Sequence, residues 1–128
     1  MVERGLLDTS VLIAEDLSPL PGQLAISVIS IAELQFGVLV ATSAEIRAIR
    51  LTRLSRLQRR FDPLPVDDAV ADSYGQLAAH VAASGRQPGP RTMDLLIAAT
   101  AHVHGAVLYT RNADDFRGLE SFIAIATA

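Results

Sequence analysis

The sequence predicts an α/β sandwich wound around a parallel sheet, and three observations point there. Short runs such as Gly5–Leu7 and Ala106–Thr110 are almost wholly apolar or uncharged, as suits strands buried on both faces. They alternate with longer helix-like stretches, the order that winds a parallel sheet. The chain has 128 residues, half of them hydrophobic. That is one domain's worth, able to bury roughly two-thirds of its unfolded surface without a staple. Residues 1–128 are therefore expected to form a single domain.

The elements follow in order. Gly5–Asp8 reads as the first strand. After Thr9 and Ser10, a helical turn starts at Val11–Ala14. Ser18-Pro19-Leu20-Pro21-Gly22 is a loop, and Leu24–Ser27 a second strand. Ser30 is placed to cap a helix reaching about Val40. Ala44 to about Phe61 forms a long arginine-rich helix, stopped by Asp62-Pro63. Leu64–Val66 is a brief extended piece. Asp67 or Asp68 caps a helix to about Ser84, which Gly85 ends. Arg86–Pro90 is a loop, and Thr92 caps a helix to His104. Gly105 then stands where a left-handed residue belongs. Ala106–Thr110 is a strand, Asn112 caps a short helix, and Phe122–Ile125 is the last strand.

Composition narrows the chemistry. With no Cys, disulfides, thiolate zinc sites and Cys nucleophiles are excluded. All 11 basic residues are Arg, so no Schiff base or phosphate-loop lysine is available. Aromatic residues make up 5% and Trp is absent, which argues against a base-stacking platform. The net charge of −3 gives no global attraction for nucleic acid. No apolar run approaches the ~20 residues of a membrane span. No signal peptide opens the chain. A soluble cytoplasmic protein is expected.

Four acids stand where carboxylates need a reason. Asp8 ends the first strand, at the sheet edge where α/β chemistry gathers; as a plain residue it would be a helix cap. Glu33 shares a helical face with Ile29, Phe36, Gly37 and Val40, read as the buried stripe. A carboxylate there needs a cation or donors, an Arg partner being the ordinary answer. Asp94 opens an apolar helix with Ile97, Ala98 and Ala101 on its face, so it is expected to point inward. Asp115 follows Asn112 by three, the spacing of a capping box, and Asp114 stands beside it. His102 and His104 face apart and are assigned to solvent or the helix C-terminus. His80 stands alone, and Ser10 has no visible base. Arg47, Arg50, Arg53, Arg56 and Arg59 wind round their helix at three-residue steps. They are read as a solvated, partner-facing surface, with phosphate contact as the lesser reading.

If the four acids converge, they repel. Two unit charges 4 Å apart cost about 4 kcal/mol at an effective dielectric of 20. Oxygen ligands without His or Cys select magnesium or manganese, ions suited to phosphoester hydrolysis. Without these four, ten acids would face eleven arginines, so the acidic balance resides largely in the candidate site.

The motifs in order resemble those of PIN-domain ribonucleases, specifically VapC-type toxins. Leu7-Asp8-Thr9-Ser10-Val11-Leu12-Ile13 resembles the first motif and Ile29-Ser30-Ile31-Ala32-Glu33-Leu34-Gln35-Phe36-Gly37 the second. Asp94–Ala101 resembles the third and Thr110-Arg111-Asn112-Ala113-Asp114-Asp115-Phe116 the fourth. The resemblance covers nearly the whole chain. It implies a PIN-like three-layer sandwich, a twisted parallel sheet flanked by helices. It also implies a Mg2+- or Mn2+-dependent endoribonuclease acting on single-stranded or looped RNA, a cognate VapB-type antitoxin and a homodimer. Asp8, Glu33, Asp94 and Asp115 would be the metal-binding and catalytic acids, with Thr110 and Asn112 supporting them. Asp114 stays open as the fourth acid, and some family members place that acid where Asn112 stands. An antitoxin would contact the acidic cleft and the helices 30–40 and 44–61, with Ile46, Leu54 and Leu57 forming one side. The alternatives are a small magnesium phosphohydrolase and a non-catalytic acidic interaction module.

Overall fold

The computed structural model describes residues 3–128. Four strands, β1 (Arg4–Leu7), β2 (Gln23–Ala25), β3 (Val107–Thr110) and β4 (Ile125–Thr127), form one sheet in the order β2-β1-β3-β4. Every pairing is parallel, with Leu6 beside Ala25 and Leu108, and Tyr109 beside Ala126. Helices α1 (Thr9–Leu12), α2 (Val28–Leu39), α3 (Ala44–Arg60), α4 (Asp68–Ala83) and α5 (Thr92–Val103) connect them.

Strand alternation distributes the core. Successive side chains point to opposite faces, so Leu6 and Leu108 join one apolar cluster while Leu7 and Tyr109 join another. The first cluster is completed by Val70, Leu77 and Val81 of α4 and by Leu95, Ile97 and Ala98 of α5. The second takes Val11 of α1 and Ile26, with Phe61 packed against it. A third, Leu34, Val38 and Leu54, joins α2 to α3. The predicted α/β sandwich is therefore present, with helices on both faces of the sheet.

Several expected boundaries move for identifiable reasons. Helix α2 is capped by Ser27, whose Oγ accepts the Ile29 N–H at 3.0 Å, rather than by Ser30. Ser30 lies inside the helix and is fully buried. β2 accordingly ends at Ala25, and Ser27 makes a lone parallel bridge to Leu64. Helix α1 starts at Thr9 because Asp8 caps it directly. Thr92 does not cap α5; a 3-10 turn, Gly89–Arg91, leads into the helix, and the Thr92 hydroxyl donates back to the Gly89 carbonyl at 2.8 Å. Asn112 makes no side-chain cap to the 3-10 turn Ala113–Phe116. The last strand lies at Ile125–Thr127, beyond the expected Phe122–Ile125. Gly105 has φ +60°, the left-handed conformation expected of it.

The arginine-rich helix is not uniformly solvated. Arg50 donates to the Gly37 carbonyl at 2.8 Å and Arg47 to the Ala41 carbonyl at 3.2 Å. Both thus place positive charge at the C-terminal end of α2, where free carbonyls favour it. Leu54 is buried and belongs to no exposed side of α3, while Leu57 is half-buried beside it. His102 and His104 lie at the C-terminal end of α5, as one of the two readings had it, but both are half-buried rather than solvated. His102 Nδ1 lies 2.8 Å from Ser73 Oγ, and His80 and His102 both pack edge-on against Phe122. His104 Nε2 is buried without a partner among the described residues.

At Gly22 φ is +83°, and an added Cβ would stand 2.2 Å from the Glu3 carbonyl oxygen. Gly22→Ala is therefore expected to cost about 1–3 kcal/mol. Thermal unfolding would show this as a Tm lowered by several degrees; an unchanged Tm would mean that the turn yields.

Candidate functional site

The sheet's carboxyl edge brings the four singled-out acids together. Asp8 follows β1 directly and is 5% exposed. Its backbone N–H donates to the Tyr109 carbonyl at 3.0 Å, which fixes it between the ends of β1 and β3. Its Oδ1 accepts the Val11 N–H at 3.1 Å and a hydrogen bond from the Ser10 hydroxyl. Capping and site placement are thus one arrangement, not rival explanations.

Ser10 ties the two strand ends. Its Oγ accepts the Arg111 N–H at 2.9 Å and stands 3.5 Å from Thr110 Oγ1. Thr110 is fully buried, and its Oγ1 accepts the Asn112 N–H at 2.9 Å. The turn carrying Asp115 is closed by the Asp115 N–H on the Asn112 carbonyl at 3.0 Å. Asn112 thus acts through its backbone, and its own side chain is exposed.

Glu33 reaches the cluster from α2, though not as expected. Its face is not the buried stripe: Phe36 is 67% exposed and Val40 50%. The buried residues of α2 are Ser30, Leu34 and Val38, and Glu33 is half-buried at their margin. Among the described residues no arginine pairs with it. Thr9 Oγ1 lies 2.7 Å from Glu33 Oε1 and 2.9 Å from Ser30 Oγ. Thr9 has one hydroxyl proton and gives it to the carboxylate, leaving Ser30 to supply the second bond.

Asp94 feels all the others. Burial first, then the charges of Asp115, Glu33 and Asp8, push its carboxyl from the usual 3.8 to about 6, with Arg91 opposing. Three like charges acting on one carboxyl agree with an inward-pointing Asp94, as Ile97, Ala98 and Ala101 beneath it suggested. Among the described residues, no three Asp, Glu or His side chains already stand at metal-coordinating spacing. The acids form an open electrostatic cluster rather than a closed cage.

Arg91 also belongs to the cluster, although nothing in its sequence neighbourhood marks it. It donates to the Asp115 carbonyl at 2.8 Å, and its Nη1 is 3.5 Å from Asp115 Oδ1. Sequence reasoning also misses Thr9, Ser10 and Ser30 as site residues; their only signal is adjacency to acids within the first two motifs. Asp114 is exposed and does not act on the Asp94 carboxyl, whereas Asp115 is half-buried and does. In one RNA-cleavage assay, Asp115→Asn is expected to lose about tenfold or more relative to Asp114→Asn. A larger loss from Asp114→Asn would reverse the assignment.

The pattern of the PIN domain matches residues 5–120. The chain belongs to the PIN-domain family. Its relatives include proteins named VapC. Ribonuclease VapC5 of Mycobacterium tuberculosis is 39% identical over 127 residues, covering 94% of this chain and 91% of that protein. Ribonuclease VapC8 of the same species is 42% identical over 103 residues, covering 77% and 91%. The crystal structure of VapBC-5 from Mycobacterium tuberculosis, a member of the VapBC family of toxin-antitoxin systems, superposes with a TM-score of 0.84. It is 39% identical and covers 97% of this PIN chain and 96% of the other.

Proposed function

We propose that this PIN-domain chain is the toxin of a VapBC pair, a cytoplasmic endoribonuclease that hydrolyses single-stranded or looped RNA with Mg2+ or Mn2+. The observation that carries the reading is the meeting of four acids at the sheet's carboxyl edge, with Asp8 fixed between the ends of β1 and β3 and Asp8, Glu33 and Asp115 close enough to Asp94 for their charges to act on it. Four carboxylates from four separate segments repel one another at one sheet edge, and a divalent cation relieves that at neutral pH. The relatives' ribonuclease names support the same reading.

The donor set fits a hard divalent ion. All candidate ligands are oxygen, and an open cluster suits magnesium, which keeps several of its waters and so can be held by some carboxylates directly and by others through those waters. Asp8, Glu33, Asp94 and Asp115 would hold the ion, which would supply charge neutralisation at the phosphate and a more acidic water. The chain's own groups do the positioning. The Val11 N–H and Ser10 hydroxyl fix the Asp8 carboxylate. Thr9 orients Glu33. Thr110 anchors the Asn112 turn, and Arg91 draws Asp115 toward the cluster. Asp94, raised by burial and by the neighbouring carboxylates, is the acid whose charge a bound cation would relieve most directly.

A VapB-type antitoxin would neutralise the enzyme by covering α2 and α3 and setting a basic side chain among the acids. The exposed Phe36, Leu39 and Val40 of α2 and Ile46 of α3 offer the apolar anchors such an interface needs. The VapBC-5 neighbour is itself from a toxin-antitoxin family. A homodimer is part of the same reading.

The test is cleavage of total cellular RNA with Mg2+ or Mn2+, repeated after exhaustive chelation. Cleavage is expected to vanish on chelation and return with Mn2+. Undiminished cleavage without metal would overturn the reading, and no cleavage under any condition would favour the interaction module.

A further inference from the structure

We propose that the groove along the outer side of α3 is a phosphate track that guides the RNA strand toward the carboxylate cluster. This rests on the ribonuclease reading and adds a surface to it. Arg53, Arg56 and Arg60 line the groove together with Ile49, Leu57 and a single acid, Glu15. The sequence suggested that the arginines merely wind round the helix. From Arg53 to Arg60, however, seven residues complete two turns to within about 20°. With Arg56 between them, three guanidiniums edge one groove.

Their charge is uncommitted. Among the described residues, the ion pairs are Arg91–Asp115 and Arg111–Asp16, and neither engages these three. Arg47 and Arg50 are committed to the carbonyls of α2, whereas Arg53, Arg56 and Arg60 donate to no acceptor among the described residues. Arg60 only stacks over its neighbour Phe61, 5.3 Å from the ring centre. Three cations against one acid, in a chain of net charge −3, is a local reversal of sign that favours a polyanion.

A chain of contacts ties the groove's edge to the site. Glu15 lines the groove, and the next residue, Asp16, is bound by Arg111 at 2.9 Å. Arg111 in turn donates its backbone N–H to Ser10, which holds Asp8. The arginine row spans about 10 Å of helix, longer than one step of a stacked strand, about 3.4 Å. It can therefore meet more than one phosphate of a strand entering the cluster. Ile49 and Leu57 give that strand an apolar floor. The groove carries no aromatic side chain of the kind that anchors protein partners; Phe36, the large exposed aromatic, lies on α2.

The experiment uses Asp94→Asn protein, to suppress cleavage, and a labelled single-stranded RNA about 12 nucleotides long. Affinity is measured by fluorescence anisotropy between about 50 and 200 mM salt. Each phosphate that is no longer neutralised should lessen the slope of log K against log salt by about 0.7. The added triple substitution Arg53→Gln, Arg56→Gln and Arg60→Gln should therefore lessen it by about 2. Across that salt range, the parent should lose roughly fifteenfold more affinity than the triple variant. The matching triple Arg→Lys variant should keep most of the slope, which separates lost charge from lost folding. An unchanged slope, a fall in affinity without a change of slope, or no RNA binding by the parent would each overturn the proposal. RNA bound with the full slope but never cut by the wild-type chain would remove the ribonuclease reading and leave the groove standing. RNA cut normally with a slope indifferent to the three arginines would do the reverse.

Discussion

Asp94→Asn is expected to reduce RNA cleavage by about a hundredfold or more and at the same time to stabilise the metal-free protein. The two effects have one cause. Burial and three neighbouring carboxylates raise the Asp94 carboxyl from 3.8 to about 6. Between those pH values the folded state binds more protons than the unfolded chain, so stability falls as pH rises from about 4 to 6. Above about pH 6 the full penalty remains. A shift of that size corresponds to about 3 kcal/mol unscreened. Asp94 is only half-buried, and solvent screening reduces the figure to about 1–2 kcal/mol. Asn removes the charge, so the variant should unfold at higher urea at about pH 7.5 and show a flatter dependence between about pH 4 and 6. Mg2+ should stabilise the wild type more than the variant. Toxicity in the host should disappear at equal soluble expression. A variant that remained toxic, or that gained nothing in stability above neutral pH, would place Asp94 outside the cluster.

At Asp8, two substitutions are expected to separate chemistry from architecture. Asp8 is almost fully buried, and its Oδ1 serves both the Val11 N–H and the Ser10 hydroxyl. Asn keeps an oxygen for both donors and loses only the charge. Asp8→Asn should thus lose about a hundredfold or more in cleavage while unfolding within about 0.5 kcal/mol of wild type. Asp8→Ala loses the cap as well, a cost of about 0.5–2 kcal/mol, and leaves the two donors without that acceptor. Urea unfolding beside an RNA-cleavage assay reads both quantities. Equal stability of the Asn and Ala variants would show that the cap contributes nothing.

The sheet, the helices and the four acids are legible in the sequence because they depend on local pattern. Apolar strands bounded by turn residues announce themselves, and so does an acid at a strand end. What stays hidden depends on tertiary packing. Ser27 and Ser30 are equally good caps by composition, both are buried, and only the point where the extended chain after β2 ends decides which one starts the helix. Glu33 reads as part of a buried stripe because Phe36 and Val40 are apolar. In the fold those residues face outward, and Ser30 takes a place inside. A chain that keeps an apolar surface defeats the assumption that apolar means buried. Arg91 lies just before α5, with no motif to mark it, and reaches Asp115 because the turn after β3 packs against α5. Phe122 looks like strand, which puts the last strand too early; in the fold it packs against His80 and His102.

The order of the sheet also bears on how such a protein is made. β3 sits between β1 and β4 although almost the whole chain separates it from β1. Asp8, Glu33 and Asp94 leave the ribosome before Val107–Thr110, the strand that pairs with Gly5–Leu7 and whose Tyr109 carbonyl accepts the Asp8 N–H. Asp115 joins later still. A nascent chain lacking β3 therefore lacks both the fourth acid and the contact that fixes Asp8. On the ribonuclease reading, a chain of this topology completes its site only as its last residues emerge, after nearly all of its messenger has been read.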